Sequence, residues 1–327
     1  MPRQIRRIDV HHHYFPADLT VTKAQSSEKF GWDTPAENLP WSPEVSLKFM
    51  NAASIDVAIL SFPALSSGFV GQENRDQARQ RNCAMAEIVE FHAERFGFFA
   101  TLPFLDDIEG VLTEIAYALD VLKADGIGLS SSYGEGMDAK YVGDDRYDAI
   151  WAELDRRSAN VFLHGSQTPS STPHPAPSLG IPVVEVPNET FKAAAHLVVT
   201  GRKRKYPHVR VILAHMGGST PFLAARVAVL SRHMGCTLSS EEILEDFRSF
   251  YYDTALSAHE ATLTALNTFL GNPNRLLFGT DFPAVSSEMA GWYTQNLERF
   301  HASEPDDLVK IMAVNAARLF PRFQSYT

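Results

Sequence analysis

Excess basic charge, cysteine and long apolar runs are all scarce in this 327-residue chain, and each scarcity closes off a class of function. With 29 Lys and Arg against 39 Asp and Glu, the formal net charge is −10, so neither nucleic acid nor an anionic membrane is expected as a main partner. The one basic run, Arg202-Lys203-Arg204-Lys205, precedes an apolar strand and reads as the solvated last turn of a helix, where cations suit the C-terminus. Cys83 and Cys236 are the only cysteines and form no Cys-x-x-Cys pattern, which excludes a disulfide framework and points to a reducing compartment. No stretch is apolar enough for a signal peptide or a membrane span, so a cytoplasmic protein is expected. Internal repeats and linker-like segments are also missing, and a single domain over residues 1–327 follows.

What the chain does contain is a regular alternation of short apolar runs with longer stretches of helical period, the pattern of βα units around a parallel sheet. Eight strands are expected, near 5–10, 57–61, 98–101, 126–129, 161–164, 209–214, 250–253 and 276–279. Helices are expected near 43–53, 74–96, 108–123, 145–158, 189–200, 220–233 and 258–270, with two more at 286–300 and 304–320. That count predicts a (β/α)8 TIM barrel. Two connections are longer than a barrel needs: Tyr14 to Ser42, with Phe15, Phe30, Trp32 and Trp41, and the proline-rich stretch Gly165 to Pro187. Both leave C-terminal strand ends, where barrels keep their active sites, and are expected to form a lid and an aromatic wall.

The first strand runs straight into His11-His12-His13. Side chains alternate along a strand, so His11 and His13 share a face that His12 does not, and two imidazoles at that spacing can hold one cation. A histidine pair is equally compatible with solvated or packed rings until other ligands join it. Three more candidates follow later strands: His164 after the fifth, His215 after the sixth and Asp281 after the eighth. Histidines and a carboxylate on one barrel rim predict a shared metal site. His12 is expected in the barrel wall, and His92, His196, His208, His233, His259 and His301 in structural or surface roles. His174 falls in the proline-rich lid, where a substrate contact is conceivable, and Glu189 reads as a capping or packing group at a helix start.

On these residues the chain resembles the amidohydrolase superfamily, in its aminocarboxymuconate-semialdehyde and γ-resorcylate decarboxylase branch. The resemblance rests on Asp9-Val10-His11-His12-His13, Trp41-Ser42-Pro43-Glu44, Pro187-Asn188-Glu189-Thr190, His215-Met216-Gly217-Gly218 and Gly279-Thr280-Asp281-Phe282-Pro283. It implies that His11, His13, His164 and Asp281 ligate one divalent ion, Zn²⁺ first and Mn²⁺ second, with His215 at or just outside the ligand shell as a catalytic group. Binuclear relatives carry a bridging Lys or Glu after strand four, whereas this chain has Gly128-Leu129-Ser130-Ser131-Ser132, which implies a single metal. Arg226 matches an arginine that reaches the substrate carboxylate in a neighbouring subunit, which implies a homodimer. A second substrate arginine of that branch has no counterpart, since no arginine occurs between Ile8 and Asn74, and an aromatic acid with one carboxylate is favoured.

The likeness extends to the fungal 6-methylsalicylate decarboxylases, through the triple histidine and Ser61-Phe62-Pro63-Ala64. It implies non-oxidative decarboxylation of an ortho-hydroxybenzoate, with 6-methylsalicylate to 3-methylphenol and CO2 as the leading reaction. Asp281 is the expected proton donor to the ring, and a water activated by His215 is the other route. The same ligand set also suits hydrolysis of a lactone, ester or amide. A barrel that has lost catalysis and serves as a binding protein is the remaining reading.

Overall fold

The computed structural model describes residues 5–19, 31–64, 68–134, 136–166 and 176–326. Eight strands form one parallel sheet in chain order: β1 Ile8–His13, β2 Val57–Ser61, β3 Phe96–Ala100, β4 Gly126–Ser130, β5 Asn160–His164, β6 Arg210–Leu213, β7 Tyr251–Asp253 and β8 Leu276–Leu277. The chain beyond β8 closes the ring against β1: Val10 N donates to Phe278 O at 2.9 Å, Asp281 N to His11 O at 2.8 Å and His13 N to Phe282 O at 2.7 Å. The expected (β/α)8 barrel is therefore the observed architecture.

Strand alternation divides the core in two. Ile8, Val10, Val57, Ile59, Phe99 and Phe162 pack in one apolar cluster, whereas their strand neighbours Ala58, Leu60, Phe98, Val161 and Leu163 belong to the other, larger cluster. Ala313, Ala316, Leu319 and Phe320 join the first cluster, so the C-terminal helical segment plugs the end of the barrel opposite the histidines. Period-two alternation on one strand is broken once. Asp9 pairs with Ala58 but His12 with Leu60, an extra residue on β1 that marks a bulge. The bulge lets Val10 join the inner cluster while the next residue, His11, also faces inward, its ring 4.9 Å from that of Phe162. His12 then sits in the wall as expected, between Asp9 Oδ2 at 3.0 Å and Ser46 Oγ at 2.8 Å.

Helices alternate with the strands: α1 Pro43–Ala52, α2 Gln72–Phe91, α3 Ile108–Asp120, α4 Asp148–Arg156, α5 Ile181–Val199, α6 Thr220–His233, α7 Ser240–Arg248, α8 Glu260–Leu270 and α9 Ser287–Phe300. Two differ from expectation. Helix α7 was not anticipated, although Ser239 and Glu242 form a capping box at its start. Helix α5 begins at Ile181 instead of Glu189 and carries Pro187 in its interior, where a proline normally ends a helix. Its early turns lie tight on the strand ends: a Cβ on Gly165 would meet Val186 O at 1.9 Å, and one on Gly218 would meet Pro187 O at 1.9 Å. Glu189 is accordingly a mid-helix packing group, accepting Tyr141 Oη–H at 2.5 Å and Lys192 Nζ–H at 2.8 Å.

The connection after β1 folds over the barrel mouth. Trp32 Nε1 donates to Ala284 O at 3.0 Å, and Asn38 Nδ2 donates to Pro283 O and Val285 O at 3.0 and 2.9 Å. Phe30 and His174 lie outside the described residues. No helix among the described residues is long and apolar enough to cross a membrane.

Candidate metal centre

The buried C-terminal ends of β1, β5 and β8 bring four side chains together. One ligand atom from each of His11, His13, His164 and Asp281 lies within 4.8 Å of every other. His11 Nε2 and His13 Nε2 are 3.2 Å apart, and Asp281 Oδ1 is 3.3 and 3.0 Å from them. Two nitrogens at that separation, each about 2.1 Å from a common ion, subtend an angle of about 100°, close to tetrahedral.

The outer nitrogens explain why the inner ones converge. His11 Nδ1 faces Asp253 Oδ2 at 2.8 Å, His13 Nδ1 faces Ser61 O at 3.3 Å, and His164 Nδ1 faces Gly165 O at 2.8 Å. Asp253 Oδ2 and Gly165 O only accept, so Nδ1 of His11 and of His164 carries a proton, and around a bound ion each ring would turn its Nε2 lone pair inward. His13 Nδ1 lies also 3.1 Å from Ser61 Oγ, a hydroxyl that can donate or accept. A buried acceptor left without a partner costs about 1–3 kcal/mol, and several facing one another cost more. Three imidazoles and a carboxylate converging on one point fit a divalent ion whose ligands are oriented by outer hydrogen bonds.

Two neighbours complete the centre. His215 Nε2 lies 3.3 Å from His164 Nε2 and 4.0 Å from Asp281 Oδ2, with its Nδ1 on Ala255 O at 3.1 Å. Asp253, which sequence reasoning missed, holds His11 with Oδ2 while Oδ1 accepts the backbone N–H groups of His215 and Ala255, both at 3.0 Å. His215 and Asp281 both sit at positive φ, +55° and +65°, a conformation rare for residues other than glycine; the Asp253 bond holds the backbone N–H of His215, and His11 O accepts that of Asp281. Asp9 does comparable work from the wall: its carboxylate accepts Thr280 N at 3.1 Å and Thr280 Oγ1 at 2.6 Å, anchoring the turn that presents Asp281.

Charge is partitioned unevenly. Burial opposes a charged His11, but Asp253 and Asp281 outweigh it and raise its pKa to about 10. Burial, reinforced by the neighbouring imidazoles, holds His164 well below the usual histidine range, and burial also lowers His215. Burial alone would raise Asp281, yet His11 and His13 hold it well below the carboxylate range, so it is ionised.

Above the four ligand candidates lies a cavity of about 250 Å³, lined by His13, His164, His215 and Asp281 below and by Phe15, Trp32, Val183, Val186, Met289 and Tyr293 around. It is a mainly apolar slot with polar groups from the ligand cluster at its base, the pattern of a small-molecule site. Arg226 does not line it; this side chain is exposed on α6.

Known proteins resemble the chain along nearly its whole length. A family model described as amidohydrolase matches residues 8–322. A 6-methylsalicylic acid decarboxylase from Aspergillus aculeatus is 37% identical, with 97% of each chain covered. One from Penicillium expansum is 35% identical, again with 97% of each chain covered. Among solved structures, a dihydroxybenzoic acid decarboxylase from Polaromonas sp. with bound manganese and 2-nitroresorcinol superposes with a TM-score of 0.80 at 23% identity, covering 97% of each chain. At that identity the likeness speaks to the fold alone.

Proposed function

Because this chain belongs to the amidohydrolase family, we propose that it is a metal-dependent carboxy-lyase acting on an ortho-hydroxylated aromatic acid, with 6-methylsalicylate, giving 3-methylphenol and CO2, as its leading substrate. The observation that carries the reading is the match along 97% of the chain to a 6-methylsalicylic acid decarboxylase. The slot of about 250 Å³ supports it, since its size and apolar walls suit a single substituted ring.

His11, His13, His164 and Asp281 would hold the ion, with Zn²⁺ favoured by three imidazoles and one carboxylate and Mn²⁺ the second candidate. When bound, the ion supplies Lewis acidity and a template for the acid and phenol oxygens of the substrate. The chain's own groups move the proton. His215 presents an Nε2 lone pair to the phenolic O–H, because its Nδ1 is committed to Ala255 O. Asp281 starts ionised, so the proton it delivers comes from the substrate, by way of His215 Nε2 4.0 Å from Oδ2. Asp281 then protonates the ring carbon that bears the carboxylate. The bond to that carboxylate breaks, its electron pair restores the aromatic ring, CO2 departs, and the phenolate product takes a proton from water.

The same reading makes the protein a homodimer in which Arg226 of one copy meets the substrate carboxylate of the other. It is supported by the surface around Arg226, where Phe222, Val229 and Leu230 are 62, 61 and 45% exposed on one stripe of α6. Sedimentation velocity would detect the dimer, and a monomer that retains full activity would remove Arg226 from this role.

The reaction is tested by mass-spectrometric product analysis on 6-methylsalicylate, with metal-replete and chelator-stripped protein. Formation of 3-methylphenol in the replete sample alone is the expected result. An enzyme that leaves hydroxybenzoates untouched but cleaves a lactone, ester or amide would replace the lyase reading with the hydrolase one.

A further inference from the structure

A second chamber, of about 390 Å³, adjoins the metal cavity and shares Pro63, Ala64 and His164 with it. Its walls come from the other half of the barrel mouth, the ends of β2, β3 and β4 and the inner side of α2, and include Phe62, Phe69, Phe104 and Tyr133. No lysine or arginine lines the metal cavity among the described residues, although the proposed substrate is an anion. The second chamber has one, Arg81.

Arg81 differs from the other arginines of its helix. Arg75 donates to Asp107 at 2.6 Å and Arg79 to Glu114 at 2.8 Å, which commits both guanidinium groups to carboxylates of α3 or its cap. Among the described residues, Arg81 has instead one long ion pair, 3.5 Å to Asp18, whose own side chain is 67% exposed. The Arg81 side chain is 23% exposed, and its guanidinium lies over the Phe62 ring, 4.1 Å from the centroid. Burial lowers its pKa, the opposite of what carboxylate pairing does to Arg75 and Arg79. An enclosed guanidinium held over an aromatic face, with its planar fork weakly engaged, is chemically matched to a carboxylate that brings its own aromatic ring.

We propose that this chamber is a receiving site for benzoate-type acids, in which Arg81 binds the carboxylate and the phenylalanines take the ring before the acid passes His164 into the metal cavity. The inference rests on the aromatic-acid reading given above. It assigns Arg81 to capture of the anion and leaves the chemical step to the groups around Asp281. Asp18 competes with the incoming carboxylate for the same guanidinium.

The test compares wild type with Arg81→Met and Arg81→Lys as metal-loaded protein, titrated with unreactive 2-methylbenzoate and with neutral 3-methylphenol. Loss of a charge-assisted fork should weaken 2-methylbenzoate by about tenfold or more in Arg81→Met and by less in Arg81→Lys, which keeps the charge but not the fork. Binding of 3-methylphenol should stay within about twofold, since it has no carboxylate. With 6-methylsalicylate, kcat/KM should fall by the same factor as acid binding while kcat holds within about threefold. Asp18→Asn, a change at an exposed position, should tighten 2-methylbenzoate. Unchanged acid binding in either Arg81 variant, or equal losses for acid and phenol, would overturn the inference; equal losses would identify a purely structural arginine. A wild type that binds 2-methylbenzoate through Arg81 yet converts no hydroxybenzoate would instead count against the decarboxylase reading and leave the receiving site standing.

Discussion

Asp253 and His11 are joined at 2.8 Å through Oδ2 and Nδ1, and the second oxygen of the same carboxylate accepts the backbone N–H of His215. One buried side chain therefore orients the ring of a ligand candidate and holds the positive-φ turn that presents the His215 imidazole. An Asp253→Asn variant retains an oxygen for the backbone N–H groups but loses the anion opposite His11. Metal affinity should drop by about 10- to 100-fold, as read by chelator competition with metal analysis by mass spectrometry. Unaltered affinity would reduce Asp253 to a turn-former.

Asp281 is predicted to be needed for turnover more than for binding. Asp281→Asn removes the proposed proton donor to the ring, and kcat should fall by about 10³-fold or more. Protein loaded with metal at saturating concentration should still bind 2-methylbenzoate measurably. A variant that keeps wild-type kcat would exclude Asp281 as proton donor and turn attention to a water beside His215.

The contact between α5 and the strand ends makes a paired stability prediction. Gly165→Ala places a methyl group 1.9 Å from Val186 O, backbone that cannot yield without moving the helix. It should cost about 2–4 kcal/mol in chemical denaturation. Gly291→Ala on α9 meets nothing within 4 Å and replaces a helical glycine, so it should stabilise by up to about 1 kcal/mol. Similar effects for the two would contradict the described packing of α5.

Acid should weaken the tie between α4 and the turn at Arg202–Lys205. Hydrogen bonds from Lys205 and Tyr206, together with the charges of Lys205 and Arg202, lower the pKa of Asp148 to about 2. A carboxyl depressed in the folded state contributes stability that is complete above its unfolded pKa of about 3.9 and fades as pH falls toward the folded value. The stability gap between wild type and Asp148→Asn should accordingly be largest near neutrality and shrink between about pH 4 and pH 2. A gap constant across that range would mean that the ionised carboxylate contributes nothing there.

Sequence reasoning locates features whose cause is local. Hydrophobic period and strand-end position suffice to place His11, His13, His164, His215 and Asp281 on one rim, whereas alternation carried on from Ile8 and Val10 would turn His12 inward, and it is the bulge that sends His12 into the wall. Asp253 escapes the same reasoning because a carboxylate after Tyr251-Tyr252 looks like any strand terminus; its importance depends on His11 and on the turn after β6, both distant in sequence. The β1 bulge is a property of pairing register with β2 and leaves no mark in the residues of β1. Helix α5 is misplaced because Pro187 is a local stop signal that tertiary packing overrides, whereas the Ser239 and Glu242 signal for α7 was present and unread.

The first turns of α5 are at once the ceiling of the slot, through Val183, Val186 and Pro187, and a rigid brace against the backbone at Gly165 and Gly218. That wall has no freedom to recede for a bulkier guest. Room for a bulkier guest must come from elsewhere in the lining, such as Met289 and Tyr293 of α9, where no such glycine contact is made. Directed evolution of the acceptance range should therefore accumulate its changes on α9 and leave the proline-bearing helix untouched.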